Sequence, residues 1–516
     1  MARTSFSWLP LLLLLWGCAS PAVEPVAPAA LARPADTPAP EFTPGGAVAS
    51  ANPLASAAGM AILRQGGSAA DAAAAVALVL GVVNPQSSGL GGGGFALLRS
   101  PAGDVISLDF RERAPSFFDR DVYQVEGRDS ARGPWAAGVP GEPAGLAELH
   151  RRAGRLPWRD VVEPARTLAA DGFPVGPDLA AALAWKRDLV LADPGMKAVF
   201  APGGDVVKEG ERLRRPALAR SLEYLQLHGG DAFYRGPLAT AFVGFLAGQG
   251  LPWTAAELAD YSVAERPVVT GIYRGHSVHS MGPPSSGGLA LVETLGVLEA
   301  AEHAALPFGE PAWGRTLAVA LSHAFADRAA WGGDPDHVTV PVDRMLAPGV
   351  GARLWARSPP TGPVPLREAG LAGEAGELGG LVPDDSGTSH LSVVDGDGMA
   401  VALTTTVNLS FGSGQLDPNT GIVLNDEMDD FAARPGEANA FGLVQGENNA
   451  VGPGRRPLSS MTPTVVVGPD GAFLLAVGGA GGPRIITSTL QTLLGVVDAG
   501  LPPQEAIARP RLHHQW

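Results

Sequence analysis

The chain has 516 residues, 46% hydrophobic and 17% charged, which is apolar enough for a large core and excludes global disorder. Its net charge is −15 with only 37 Lys and Arg, and basic residues gather only in short pairs such as Arg214-Arg215 and Arg455-Arg456. That balance excludes a nucleic-acid partner, because such binding depends on neutralising phosphates.

The N-terminus reads MARTSFSWLPLLLLLWGCAS, with basic Arg3 and an apolar run from Trp8 to Trp16. The run is too short to span a bilayer and fits a secretory signal. Cys18 is the only cysteine, so intramolecular disulfides and cysteine metal sites are excluded. Its position in LWGC resembles a bacterial lipobox, in which the cysteine is lipidated. Trp16 is unusual there, which leaves an ordinary signal peptide with an incidental cysteine as the alternative. The expectation is a signal over 1–18, an Ala/Pro-rich tether over 19–45, export to the periplasm or cell envelope, and membrane contact only through a lipid anchor.

Folded sequence begins near Gly46. Asn52-Pro53 starts a helix over LASAAGMAILRQ, ended by Gly66-Gly67. Ser68 caps a second helix, AADAAAAVALVLGVV, apolar nearly all round and so expected in the interior. NPQSSGLGGGG then leads into a hairpin, FALLR and VISLDF around SPAGD, with Arg111 just beyond it. The run Gly89–Gly94 matches G-x-G-x-x-G formally, but it follows a helix and opens a strand, the reverse of a dinucleotide site. From about Glu142 to Leu306 helical patterns dominate, interrupted by the strand-like VVTGIYRGHSVHSMG. Residues 345–387 are Gly/Pro-rich and irregular. Strands return at 389–407, around the turn DGDG, and at 464–479, before a closing helix, IITSTLQTLLGVVDAG. Runs of strands and helices that do not alternate strictly predict an α+β fold of antiparallel sheets with helices outside.

Several segments carry polar groups of related purpose. Thr388 follows Gly387, whose missing Cβ leaves its carbonyl open to attack. Thr406 and Asn408 lie at the end of the returning strand, beside Thr388. LNDEMDDF supplies Glu427 and Asp430, PLSSM supplies Ser459 and Ser460, and GGAGGPR places Gly481 and Gly482 after a strand with amides suited to an oxyanion. Taken singly, these are an ion-pairing arginine, a solvated acidic loop or weak Ca²⁺ site, a turn and a loop breaker. His513-His514 suggests a metal pair, but adjacent histidines point apart and no third ligand accompanies them, so no metal is expected.

TSHLSVVD, N-x-x-FGSG, LNDEMDDF, RRPLSSMTPT and GGAGGPRI, in this order, closely resemble the γ-glutamyltranspeptidase family, as do PLASAAGMAILRQGGSAADAA, SGLGGGGF, LDFRERAP and PPSSGG upstream. The resemblance runs from about residue 45 to the last residue. It implies an N-terminal-nucleophile hydrolase fold, a four-layer αββα sandwich. It also implies a precursor that cuts itself at Gly387–Thr388, giving a large-subunit part, 46–387, and a small-subunit part, 388–516. By the same resemblance, Thr388 is the nucleophile and its freed α-amine, titrating near ~7.7–8.0, is the base. Thr406 assists, and Gly481 and Gly482 hold the oxyanion. Arg111, Ser459 and Ser460 take the α-carboxylate of a γ-glutamyl group, and Glu427, Asp430 and Asn408 take its ammonium. The implied substrates are glutathione and other γ-glutamyl compounds, with water, amino acids or dipeptides as acceptors and no cofactor.

Two departures stand out. Phe441 occupies the place where some bacterial members carry a lid tyrosine, so a gate there lacks a hydroxyl. The small-subunit part is expected to be C-terminally short relative to the family. Two alternatives accompany the main reading: a related acylase cleaving glutaryl-type amides, as in cephalosporins, and an unprocessed lipoprotein that binds γ-glutamyl ligands without turnover. Glu427 and Asp430 favour the first reading, since a substrate without an ammonium leaves two carboxylates unmatched.

Overall fold

The computed structural model describes residues 45–364, 370, 387–434 and 437–515. The signal-like segment, Cys18 and the tether up to residue 44 lie outside the described residues, as does most of 365–386.

Two helices open the fold where their capping residues predict them. In α1, Pro53–Arg64, the Asn52 side chain accepts the Leu54 amide at 2.9 Å. In α2, Ala69–Val83, Ser68 and Asp71 form a reciprocal capping box, and every residue of the helix is buried. Asp71 also accepts amides from Arg155 and Leu156, and Asp395 accepts the Ala69 amide, so the helix is tied down from both sides. Further helices are α3 (Glu142–Ala153), α4 (Trp158–Asp171), α5 (Pro216–His228), α6 (Pro237–Gly248), α7 (Gly287–Ala300), α8 (Pro311–Trp331) and α9 (Arg484–Val497).

The strands are β1 (Gly46–Ser50), β2 (Gly93–Arg99), β3 (Val105–Phe110), β4 (Ala264–Arg266), β5 (Val269–Tyr273), β6 (His276–Ser280), β7 (Gly387–Asp395), β8 (Ala400–Asn408), β9 (Thr464–Val467) and β10 (Phe473–Val477). They form a six-stranded sheet in the order β1-β7-β8-β2-β3-β4 and a four-stranded sheet in the order β10-β9-β6-β5. Both are antiparallel throughout. Strands from beyond residue 387 therefore enter both sheets: β7 and β8 lie between β1 and β2 in the larger one, and β9 and β10 extend the smaller one beside β6.

Side-chain alternation sorts the layers. Ala96 and Leu98 of β2, Leu391 and Val393 of β7, and Val401 and Leu403 of β8 face the core shared with α1 to α4. Phe95, Leu97 and Ala402 face the other way and meet Val465 of β9 and Ile485 between the two sheets. Val466, Leu475 and Val477 turn outward onto α7, α8 and α9. The result is helix, sheet, sheet, helix, as expected.

Two elements depart from expectation. Helix α8 lies beyond the region read as helical, because most of its length is buried and it carries no amphipathic period. The irregular stretch also contains a short helix, Val350–Arg357, which buries Val350 and Leu354 four residues apart.

The glycine run at 91–94 has a steric cause. A Cβ on Gly92 would stand 2.0 Å from the Thr406 carbonyl oxygen, and one on Gly94 2.3 Å from that of Thr404. The run lets one backbone lie against another, which is a different purpose from cradling a phosphate.

A paired substitution checks this packing. Gly92→Ala should cost more than ~3 kcal/mol in denaturant unfolding, since the clash is with backbone. Gly244→Ala, within α6 and with nothing within 4 Å of its new Cβ, should instead stabilise by ~0.5–1 kcal/mol.

Candidate active site

Strand parity brings the first two residues together. Thr388 pairs with Thr406 across the β7–β8 ladder, and both project into the space between the sheets. Their hydroxyl oxygens are 2.9 Å apart. Thr406 Oγ1 donates to the Gly387 carbonyl at 2.9 Å and accepts the Asn408 amide at 2.9 Å. A threonine hydroxyl has one proton, and that of Thr406 goes to Gly387, so Thr388 is the donor in the bond between the two hydroxyls. A lone pair on Thr388 Oγ1 is then available toward a carbonyl polarised by Thr406.

The turn of chain after Thr406 is irregular. The ladder shifts register between Thr406 and Asn408, and Asn408 takes a φ of 77°. Its Nδ2 donates to the Asp426 carbonyl at 3.0 Å, which leaves Oδ1 as an acceptor at the cavity wall.

Glu427 and Asp430 begin and end one turn of 3₁₀ helix, a geometry that eclipses residues three apart and aims both carboxylates the same way. Asn425 pins this turn, accepting the Glu427 amide at 3.0 Å and donating to the Gly91 and Gly138 carbonyls at 2.7 and 2.9 Å. Arg111, just past β3, donates to Glu427 through Nη1 and to Asp430 through Nη2 at 2.5 Å, while its Nε donates to the Pro457 carbonyl at 3.2 Å. The groups assigned to opposite ends of a zwitterionic ligand are thus each other's partners here.

Burial governs the charges. It would lower the Arg111 guanidinium, but Glu427, Asp430 and Glu112 together raise it, so it is firmly cationic. Burial pushes Glu427 up to about 7 against the pull of Arg111, and it raises Asp430 likewise.

Arg111, Thr388, Thr406, Asn408, Glu427, Asp430, Ser459, Ser460 and Gly482 line one narrow cavity. Gly481 and Gly482 reach φ of 117° and 56°, and Gly482 is on the wall while Gly481 precedes it. Phe441 also lines the cavity, its ring lying where a Cβ on Gly482 would stand 2.5 Å away. A tight turn built on Asn439, whose Oδ1 accepts the Phe441 and Leu443 amides at 3.1 Å, holds that ring in place.

Sequence reasoning missed three neighbours. Glu112 is buried beside Arg111 at 3.8 Å, and burial together with Glu427 holds its carboxyl well above the usual range. It is the next residue of the LDFRERAP stretch, which was the available signal. Asn439 donates to Asp430 at 3.3 Å, and Arg328 of α8 donates to Ser460. Neither carries a local pattern.

Among the described residues no imidazole hydrogen-bonds to Thr388. His390, two residues on, is pushed down to about 3 by burial and is neutral, with its nitrogens engaged by Thr404 at 2.9 Å and Ser392 at 3.0 Å. His513 and His514 bond to different helices, through Thr487 and Ser322.

Close similarity to other proteins extends over most of the chain. The chain is 41% identical to the glutathione hydrolase proenzyme of Escherichia coli (strain K12), over 91% of this chain and 81% of that protein. It is 38% identical to glutathione hydrolase 3 of Arabidopsis thaliana, over 91% and 73%. Among solved structures, the cephalosporin acylase of Bacillus halodurans superposes with a TM-score of 0.77 at 28% identity, covering 93% of this chain and 86% of that one. Helicobacter pylori gamma-glutamyltranspeptidase does so at 0.61 and 34%, covering 64% and 97%. The gamma-glutamyltranspeptidase family profile matches residues 55–516, nearly the whole described fold, and the chain belongs to that family.

Proposed function

We propose that the chain is a self-processing γ-glutamyl hydrolase and transferase acting on glutathione and related amides. The observation that carries this reading is the three-way contact of Thr388, Thr406 and the Gly387 carbonyl.

In maturation, Thr388 Oγ1 attacks the Gly387 carbonyl carbon, and its proton passes by way of Thr406 to the leaving Thr388 nitrogen. The C–N bond breaks, giving an ester at Oγ1 and a free α-amine on Thr388, and water then hydrolyses the ester. Two subunits result, 46–387 and 388–516, each contributing strands to both sheets. The new amine titrates near ~7.7–8.0 and accepts the hydroxyl proton at working pH, a task His390 cannot perform.

In turnover, Arg111 exchanges its internal partners for the α-carboxylate of the donor, and Glu427, Asp430 and Asn408 receive the ammonium. Thr388 attacks the γ-carbonyl, and the amides at Gly481 and Gly482 stabilise the oxyanion. The amine leaves protonated, and water, an amino acid or a dipeptide takes the γ-glutamyl group from Thr388.

The cephalosporin acylase likeness supports a second reading, a glutaryl-type acylase. Two buried carboxylates facing the cavity argue for a donor with an ammonium, because each charge left unmatched in the interior is costly. Before residue 45, the apolar run and Cys18 support export with lipid attachment.

Thr388→Ala should run as one uncut band and release no chromophore from a γ-glutamyl anilide. Thr406→Val should slow processing by ~10²-fold or more, the usual cost of one oxyanion donor. A wild-type protein that is cut yet prefers glutaryl anilide would establish the acylase reading instead.

Glu427 also sets a pH dependence. Below about 7 it holds a proton and loses its attraction for the ammonium, so the donor KM should fall as pH rises from about 6 to about 8. Glu427→Gln should flatten that dependence and raise KM roughly tenfold. For the N-terminus, labelled fatty acid should be incorporated by wild type and lost in Cys18→Ala.

A further inference from the structure

The PPSSGG stretch has no part in the chemistry above, and neither does Arg328 near the end of α8. They meet behind Ser459 and Ser460. Arg328 is 4% exposed and donates Nε–H to Ser286 Oγ at 2.9 Å and Nη2–H to Ser460 Oγ at 3.2 Å. Ser286 in turn donates its hydroxyl and its amide to the Ser459 carbonyl, at 2.7 and 2.9 Å. No carboxylate pairs with Arg328 among the described residues, and Asp430 reaches it only through its field. Burial pushes the guanidinium down to about 10 against that field, so it remains cationic at neutral pH.

Counting hydrogen bonds gives these groups a direction. A serine hydroxyl has one proton and two lone pairs. Ser460 Oγ accepts from Arg328, and Ser459 Oγ accepts the Met461 amide at 3.1 Å. Each hydroxyl has a lone pair taken up from behind and its proton still available at the cavity wall. Both serines can therefore donate to a carboxylate, and the positive charge behind Ser460 favours an anion there over an ammonium. Among the described residues no carboxylate is in direct contact with the cation behind them, and a buried charge in that condition favours a ligand that supplies one.

We propose that Arg328 is the positioning residue that selects donors bearing an α-carboxylate, by holding Ser460 as a hydrogen-bond donor and placing an unbalanced positive charge behind the serine pair. This deepens the γ-glutamyl reading and rests on it.

The test uses full-length, processed protein, with kcat and KM for a γ-glutamyl anilide and competitive inhibition by L-glutamate and 4-aminobutanoate, which differ only by the α-carboxylate. Arg328→Gln should raise KM about tenfold with kcat within about threefold, weaken glutamate by a similar factor, and leave 4-aminobutanoate unchanged. Ser286→Ala, which keeps the charge and removes one anchor, should shift the same quantities in the same direction by about threefold. Equal weakening of both inhibitors, or a fall in kcat alone, would mark a merely structural arginine and overturn the proposal. If Arg328→Gln does not fold, Ser286→Ala decides, and an unchanged glutamate preference there overturns it. A wild-type protein that is cut yet releases nothing from the anilide defeats the γ-glutamyl reading itself. An active wild type without selective loss in the variants defeats only the role of Arg328.

Discussion

The register between β7 and β8 is the constraint on which the rest depends. Side chains alternate across a sheet, so pairing Thr388 with Thr406 sends both hydroxyls into the space between the sheets, while Leu391, Val393, Val401 and Leu403 fill the helix-side core. A slip of one residue would bury hydroxyls among alanines and leucines and turn Thr388 away from Thr406 and the Gly387 carbonyl. Burial of the apolar set therefore enforces the Thr388–Thr406 geometry. The Gly92 and Gly94 contacts with β8 act in the same sense, since they allow a neighbouring backbone to brace that strand at Thr404 and Thr406.

Around that register the protein gathers charge that it does not solvate. Arg111, Glu427, Asp430 and Glu112 are all buried, and the cation satisfies carboxylates that no other cation reaches as closely. Such a cluster is costly to assemble, and its partners are interchangeable with those of an amino-acid zwitterion. A ligand that offers a carboxylate to Arg111 and an ammonium to Glu427 and Asp430 replaces each internal contact with one of like kind. In the function proposed, recognition is an exchange of ion pairs in which little net desolvation remains to be met.

Much of this was legible locally. Asn52 and Ser68 marked helix starts, Pro and Gly marked turns, and the alternation in 389–407 marked a hairpin whose ends must meet. The chemical groups of the site lie in short, distinctive segments. What escaped notice did so for a physical reason. Helix α8 is buried along most of its length, so it lacks the polar face that periodicity detects, and Arg328 within it looked like any arginine near a helix end. The spacing of the glycine run gave no sign of its contact with a strand some three hundred residues away.

The sequence by itself determined which groups would be present and the local elements that carry them: a threonine after a glycine at a strand start, two carboxylates three apart, a serine pair, an isolated arginine. Tertiary structure alone decided their relations. Arg111 and Glu427 are 316 positions apart, and Arg328 and Ser460 132. No periodicity in a short window reports such pairings, because they follow from how two sheets stack and which faces the core requires to be apolar.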